Sequence, residues 1–171
     1  MNWKPFIAAV LLIGVAVFAL RFNNFYFAEN AFIREANPEQ IMEHARNLNS
    51  PLVLVNFWAS WCEPCKIELP HILKLQKAFA AQGLKVIFVS VDEPDDLPSA
   101  EKFLKENHVD FQTFYKGHQS LKFVSKFFPN WSGAVPATVL LGKDGQIVEA
   151  WEGETSYEEF EAKIKPHLKG S

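Results

Sequence analysis

Two of the 171 residues are cysteines, and only two residues lie between them, in Cys62-Glu63-Pro64-Cys65. A scaffold stapled by disulfides would carry more cysteines, spread along the chain. A structural zinc site needs four ligands, and this pair supplies two. His44, His71, His108, His118 and His167 show no ligand spacing among themselves and read as surface residues. As a purely structural bridge the pair would close a loop too short to remove much unfolded-chain entropy. Reversible thiol–disulfide exchange is the chemistry that fits the spacing best, with metal carriage and a structural staple as competing readings.

Exchange chemistry needs a particular support. Leu52-Val53-Leu54-Val55-Asn56-Phe57-Trp58 is a nearly continuous apolar run, the pattern of a strand buried on both faces. It leads directly to the cysteines. A helix then runs to about Ala81, with Ile67, Ile72, Leu75 and Phe79 as its inward stripe. Pro70 removes one backbone donor from it, and Gly83 is placed to end it. Cys62 therefore falls at a helix N-terminus, where unpaired N–H groups and the positive dipole end favour the thiolate. The thiolate is the attacking species in disulfide exchange. Cys65, one turn on, is close enough to bridge and more buried. Pro64 stiffens the turn at an early helical position where its missing N–H costs nothing. Trp61 reads as an exposed rim, Trp58 as core.

The surrounding pattern is that of an α/β layer architecture. Asn37-Pro38 caps a helix reaching Asn49. Lys85–Val91 reads as a second buried strand, Asp96 to Asn107 as a helix and Val109–Tyr115 as a strand. A helix follows over Gln119–Phe128. Pro136–Leu141 and Gln146–Trp151 form a hairpin around Lys143-Asp144-Gly145, an Asp-Gly turn. A last helix covers Ser156–Leu168. The net charge of −3 and the lack of a basic patch exclude nucleic acid as a partner.

From Phe6 to Leu20 all fifteen residues are apolar, flanked by Lys4 and Arg21. As a helix they rise roughly 22 Å against a ~30 Å hydrocarbon core, so flanking aromatics must help them span. No small-x-small cleavage site and no lipoprotein cysteine follows. The reading is an uncleaved signal anchor at 1–21, a linker or short strand at 22–36 with strand character near 25–32, and one domain at 37–171.

Val55-Asn56-Phe57-Trp58-Ala59-Ser60-Trp61-Cys62-Glu63-Pro64-Cys65-Lys66 resembles the active-site segment of the thioredoxin superfamily. With Ile67-Glu68-Leu69-Pro70 it is similar to the membrane-anchored TlpA/ResA branch, whose pattern is W-C-x-P-C-[KR]-x-E-x-P. Val135-Pro136-Ala137-Thr138 matches the superfamily's cis-proline loop, which faces the cysteines. The helix and strand near 97–115 match this branch's insertion.

The resemblance implies a thioredoxin fold, a central mixed β-sheet flanked by helices, with the inserted helix–strand and an N-terminal membrane helix. It implies catalysis by Cys62 and Cys65 as a redox-active disulfide, an active-site turn of Trp61, Glu63 and Pro64, and substrate pairing at Val135 and Pro136. Thioredoxins carry a buried aspartate where this chain has Asn56, so proton handling falls to Glu68; a merely solvated Glu68 is the competing reading. No cofactor beyond the disulfide and no metal is expected. The function implied is reduction of protein disulfides outside the cytoplasm, apocytochrome c among the candidate substrates, fed by a membrane electron donor of the DsbD/CcdA type. A DsbA-like dithiol oxidase and a non-catalytic redox-sensing or metal-carrying module are the alternatives. Trp131-Ser132-Gly133 is either part of the substrate groove or a plain loop anchor.

Overall fold

The computed structural model describes residues 32–168; the expected anchor at 1–21 lies outside them. Among the described residues no helix is long and apolar enough to cross a membrane. In chain order the elements are β1 (Ile33–Glu35), α1 (Pro38–Asn47), β2 (Leu52–Trp58), α2 (Glu63–Phe79), β3 (Leu84–Ser90) and α3 (Leu97–Glu106). They continue with β4 (Thr113–Tyr115), a 3-10 helix (Leu121–Lys126), β5 (Ala137–Gly142), β6 (Ile147–Glu152) and α4 (Tyr157–Leu168).

β2 is the centre of the molecule. All seven of its residues are buried, as a strand covered on both faces must be. It pairs parallel with β3, from Leu52 opposite Leu84 to Trp58 opposite Ser90, and antiparallel with β5. The six strands lie in the order β1-β4-β3-β2-β5-β6, a mixed sheet as expected. Each fully buried Leu or Phe of this core contributes about 1.5–3 kcal/mol over an exposed one. α2 packs against β3 and α4. Among the described residues the first strand starts at Ile33, which pairs with Thr113, inside the stretch read as linker or short strand. Residues 25–31 of the strand character expected there lie outside the described residues.

Local chemistry explains the element ends. Asn37 Oδ1 accepts from Gln40 N at 2.8 Å and Gln40 Oε1 accepts from Asn37 N at 2.8 Å, a reciprocal capping box. The hairpin turns at Gly145, whose φ of 78° suits a residue without Cβ.

Four expectations need correction. The strand expected over Val109–Tyr115 is only Thr113–Tyr115, because the preceding residues terminate α3: His108 takes φ 58°, His108 N donates to Lys105 O and Val109 N to Leu104 O. That is the Schellman arrangement, and it consumes the strand's first residues. The helix expected over Gln119–Phe128 is a 3-10 helix of six residues. Phe123 and Phe127 fix it on the Phe57 ring at 6.3 and 5.1 Å. Ile67 is 52% exposed and leaves the inward stripe of α2, which is instead Cys65, Glu68, Leu69, Ile72, Leu75 and Phe79. Among the histidines, His108 and His118 are exposed, whereas His44, His71 and His167 are half-buried. His44 stands edge-on to Phe114, and burial, helped by Arg34, lowers its pKa.

Candidate active site

Parallel β2 and β3 end side by side, Trp58 opposite Ser90, and the cysteines follow the C-terminal end of β2. Cys62 is the N-cap of α2: its Sγ accepts from Cys65 N at 3.2 Å. The two cysteines are joined in a disulfide with Cα atoms 5.3 Å apart. Cys65 is completely buried, whereas Cys62 keeps 5% of its surface, so an attacking group reaches Cys62 first. Pro64 occupies the first turn of α2. Glu63 is exposed and pairs with Lys66 at 2.7 Å. Trp61 is 61% exposed and forms the rim, while Trp58 is core.

Facing the disulfide is the loop before β5. The Val135–Pro136 peptide is cis, as expected, and Val135 O lies 3.5 Å from Cys62 Sγ. Pro136 is buried and Val135 half-buried. This places the Val135 backbone carbonyl directly beside the more accessible sulfur.

Behind the pair lies Glu68, fully buried rather than solvated. Asn56 Nδ2 donates to its Oε1 at 2.7 Å, and Thr155 N donates to its Oε2 at 3.1 Å. Asn56 also donates to Thr138 Oγ1 at 3.1 Å, and its Oδ1 has no partner among the described residues. Burial outweighs the two donated hydrogen bonds and pushes the Glu68 carboxyl up to about 8. A carboxyl on the same helix as Cys65, three residues on, that titrates near neutrality is equipped to take or give a proton.

Sequence reasoning missed a second buried carboxylate. Asp92 accepts from Ser60 N with both oxygens at 3.0 Å, from Ser60 Oγ at 2.7 Å and from Ser90 Oγ at 2.6 Å. It thereby fixes the residue two before Cys62. The signal was available in register: once Trp58 is set opposite Ser90, Ser60 and Asp92 each follow two residues later. Thr155 and Glu152 were also missed, since nothing in their local pattern announces a contact with distant loops. Among the described residues no group of His, Cys, Asp and Glu is arranged to hold a metal.

The fold and this site define the class, a thioredoxin-type protein with a redox-capable dithiol pair. Residues 37–150 match the family model of the AhpC/TSA family, and the chain belongs to that family. It is similar to the thiol-disulfide oxidoreductase ResA of Bacillus thuringiensis (strain Al Hakam), 28% identical over 120 residues, covering 70% of this chain and 65% of the relative. The chain thus spans just under two thirds of that relative. ResA of Bacillus subtilis (strain 168) is 26% identical over 169 residues, with 92% and 90% covered. The crystal structure of a thioredoxin-family thiol:disulfide interchange protein of Chlorobium tepidum shares the fold, with a TM-score of 0.60, 21% identity, and 72% and 84% covered. The ResA-like resemblance read from the active-site segment holds.

Proposed function

We propose that this chain is a thiol–disulfide oxidoreductase that reduces protein disulfides, tethered to the bacterial cytoplasmic membrane with its thioredoxin domain on the extracytoplasmic side. The observation that carries the reading is the placement of Cys62, at a helix N-cap, beside the Val135 backbone edge and in front of a buried Glu68. The relatives' name supports the activity, and the apolar run Phe6–Leu20 supports the tether.

The Cys62 thiolate of the reduced protein attacks one sulfur of the substrate disulfide. A mixed disulfide forms and the other substrate sulfur leaves as a thiolate. Glu68 in its ionised form takes the proton of the Cys65 thiol, directly or through a water, and the Cys65 thiolate attacks Cys62 Sγ. The second substrate thiolate leaves, and two electrons have passed from the Cys62–Cys65 dithiol to the substrate. Val135 and Pro136 hold the substrate backbone meanwhile, while Trp61, Glu63 and Pro64 shape the turn. The disulfide is the sole redox group this sequence of steps uses. A membrane electron donor of the DsbD/CcdA type restores the dithiol, and apocytochrome c, with its heme-binding cysteine pair, is a substrate of the right class.

Equilibration with defined dithiol buffers, followed by alkylation trapping, tests the direction. A potential near or below about −250 mV supports a reductase. A potential above about −150 mV makes the protein a DsbA-like oxidant instead.

A further inference from the structure

The loop that carries Val135 is hydrogen-bonded to the end of β6 through a single carboxylate. Between Pro129 and Val135 the loop is braced by its own atoms: Trp131 N donates to Phe128 O at 3.0 Å, Trp131 Nε1 to Ala134 O at 2.6 Å, and Ala134 N to Ser132 Oγ at 3.4 Å. Trp131 and Val135 pack against the core, and the loop's side-chain hydrogen bonds across to the β5–β6 hairpin go to Glu152. Ser132 N donates to Glu152 Oε1 at 2.7 Å, and Ser132 Oγ donates to Glu152 Oε2. Glu152 is the last residue of β6 and pairs with Ala137, the first of β5. Its neighbour Gly153 donates N–H to Pro136 O at 2.9 Å. The carboxylate therefore grips the loop on one side of Val135 while the strand pairing holds it on the other.

The consequence follows from geometry. Val135 O lies 3.5 Å from Cys62 Sγ, so the position of the loop decides how the Val135 backbone meets an extended chain bound across the disulfide. Gly133, with φ 103° and open space around it, is the point at which the loop meets least steric restraint when Ser132 is released. A small disulfide that reaches Cys62 without lying along Val135 does not sense this.

We propose that Glu152 is a specificity-determining positioning residue: by fixing Ser132 it sets the Val135 edge for polypeptide disulfides and so favours them over small ones. This rests on the oxidoreductase reading above. It accounts for Trp131-Ser132-Gly133 as a latched wall of the substrate groove.

The test compares a disulfide-bridged peptide with a small aryl disulfide, using the full chain, with dithiothreitol recycling the dithiol. The readout is the ratio of the two kcat/KM values. Glu152→Ala is expected to lower that ratio about tenfold, corresponding to about 1.4 kcal/mol, mainly through KM for the peptide. Glu152→Gln keeps a carbonyl acceptor for Ser132 N and is expected to recover part of the ratio. Thermal unfolding of each variant identifies one that has lost its fold, in which case Ser132→Ala, which removes the Oγ bond to Glu152 and leaves the backbone one, supplies a smaller drop in the same direction. Equal losses on both substrates, or an unchanged ratio, would overturn the inference. A wild-type protein inert toward both disulfides would overturn the oxidoreductase reading and this inference with it.

Discussion

Replacing Glu68 by Gln should reverse the sign of its effect on stability as pH rises. In the folded protein the carboxyl is fully buried and its pKa is raised from 4.5 to about 8. Across that window the native state keeps the proton that the unfolded chain has already lost. The linkage slope is therefore negative: stability from this group is greatest below 4.5 and falls until the folded carboxyl also ionises near 8. At about 1.4 kcal/mol per pH unit the loss amounts to about 5 kcal/mol over the window. Glutamine is uncharged throughout and does not incur it. Its amide nitrogen, however, must face one of the two donors now held by Glu68, Asn56 Nδ2 or Thr155 N, which costs about 1–3 kcal/mol. Glu68→Gln should thus be the less stable protein at pH 5 and the more stable one at pH 9. Urea unfolding of the oxidised proteins, followed by tryptophan fluorescence at several pH values, reads both. Curves of stability against pH that run parallel for the two proteins would show that the buried carboxyl does not hold its proton.

Three other outcomes follow from the same geometry. Cys65→Ser should arrest exchange at the mixed disulfide on Cys62, seen as a stable adduct by intact-mass measurement; adducts that clear at the wild-type rate would deny Cys65 the resolving role. Asp92→Ala leaves Ser60 N, Ser60 Oγ and Ser90 Oγ without their shared acceptor and should destabilise the fold by about 2–4 kcal/mol, with partial recovery in Asp92→Asn. An unchanged urea midpoint would refute the clamp. Asn56→Asp puts a second carboxyl against Glu68 Oε1, now 2.7 Å from Asn56 Nδ2, and the two cannot both ionise at that distance. Its stability deficit relative to wild type should widen from pH 4.5 to pH 8, and a constant deficit would contradict the contact.

What the sequence revealed, and what it hid, tracks the range of the interactions. β2 was legible because an unbroken apolar run has few alternatives to a doubly covered strand, and the cysteine pair because its spacing fits little else. Val135-Pro136 and Glu68 were legible through resemblance to a known active site, and the structure gives Glu68 its burial. Ile67 was misplaced because the four apolar positions Ile67, Ile72, Leu75 and Phe79 fit a stripe on α2 nearly as well as the true one. That stripe includes a buried glutamate, which a hydrophobicity pattern never selects. The 3-10 helix and the shortened β4 turn on tertiary anchors and on a left-handed His108, neither of which local propensity encodes. Asp92 with Ser60, and Glu152 with Ser132, are contacts between segments 32 and 20 residues apart. They exist only once the strand register has been set.

The two buried acids of this site are held by different partners. Asp92 receives three donors from two serines that flank it on neighbouring chain segments; its oxygens are occupied in holding the turn ahead of Cys62. Glu68 receives two donors, which leave it short of the compensation a buried charge requires, and its raised pKa is the result. The Thr155 N–H that binds Glu68 belongs to the same short segment that carries Glu152 and Gly153. One stretch of chain at the end of β6 therefore touches the proton-handling group, the Pro136 carbonyl and the Ser132 latch. Because all three contacts lie within four residues, displacing that segment would disturb the acid and the substrate edge together. A perturbation confined to the Glu152 carboxylate separates them, since the Thr155 N–H stays on Glu68 when the latch to Ser132 is cut.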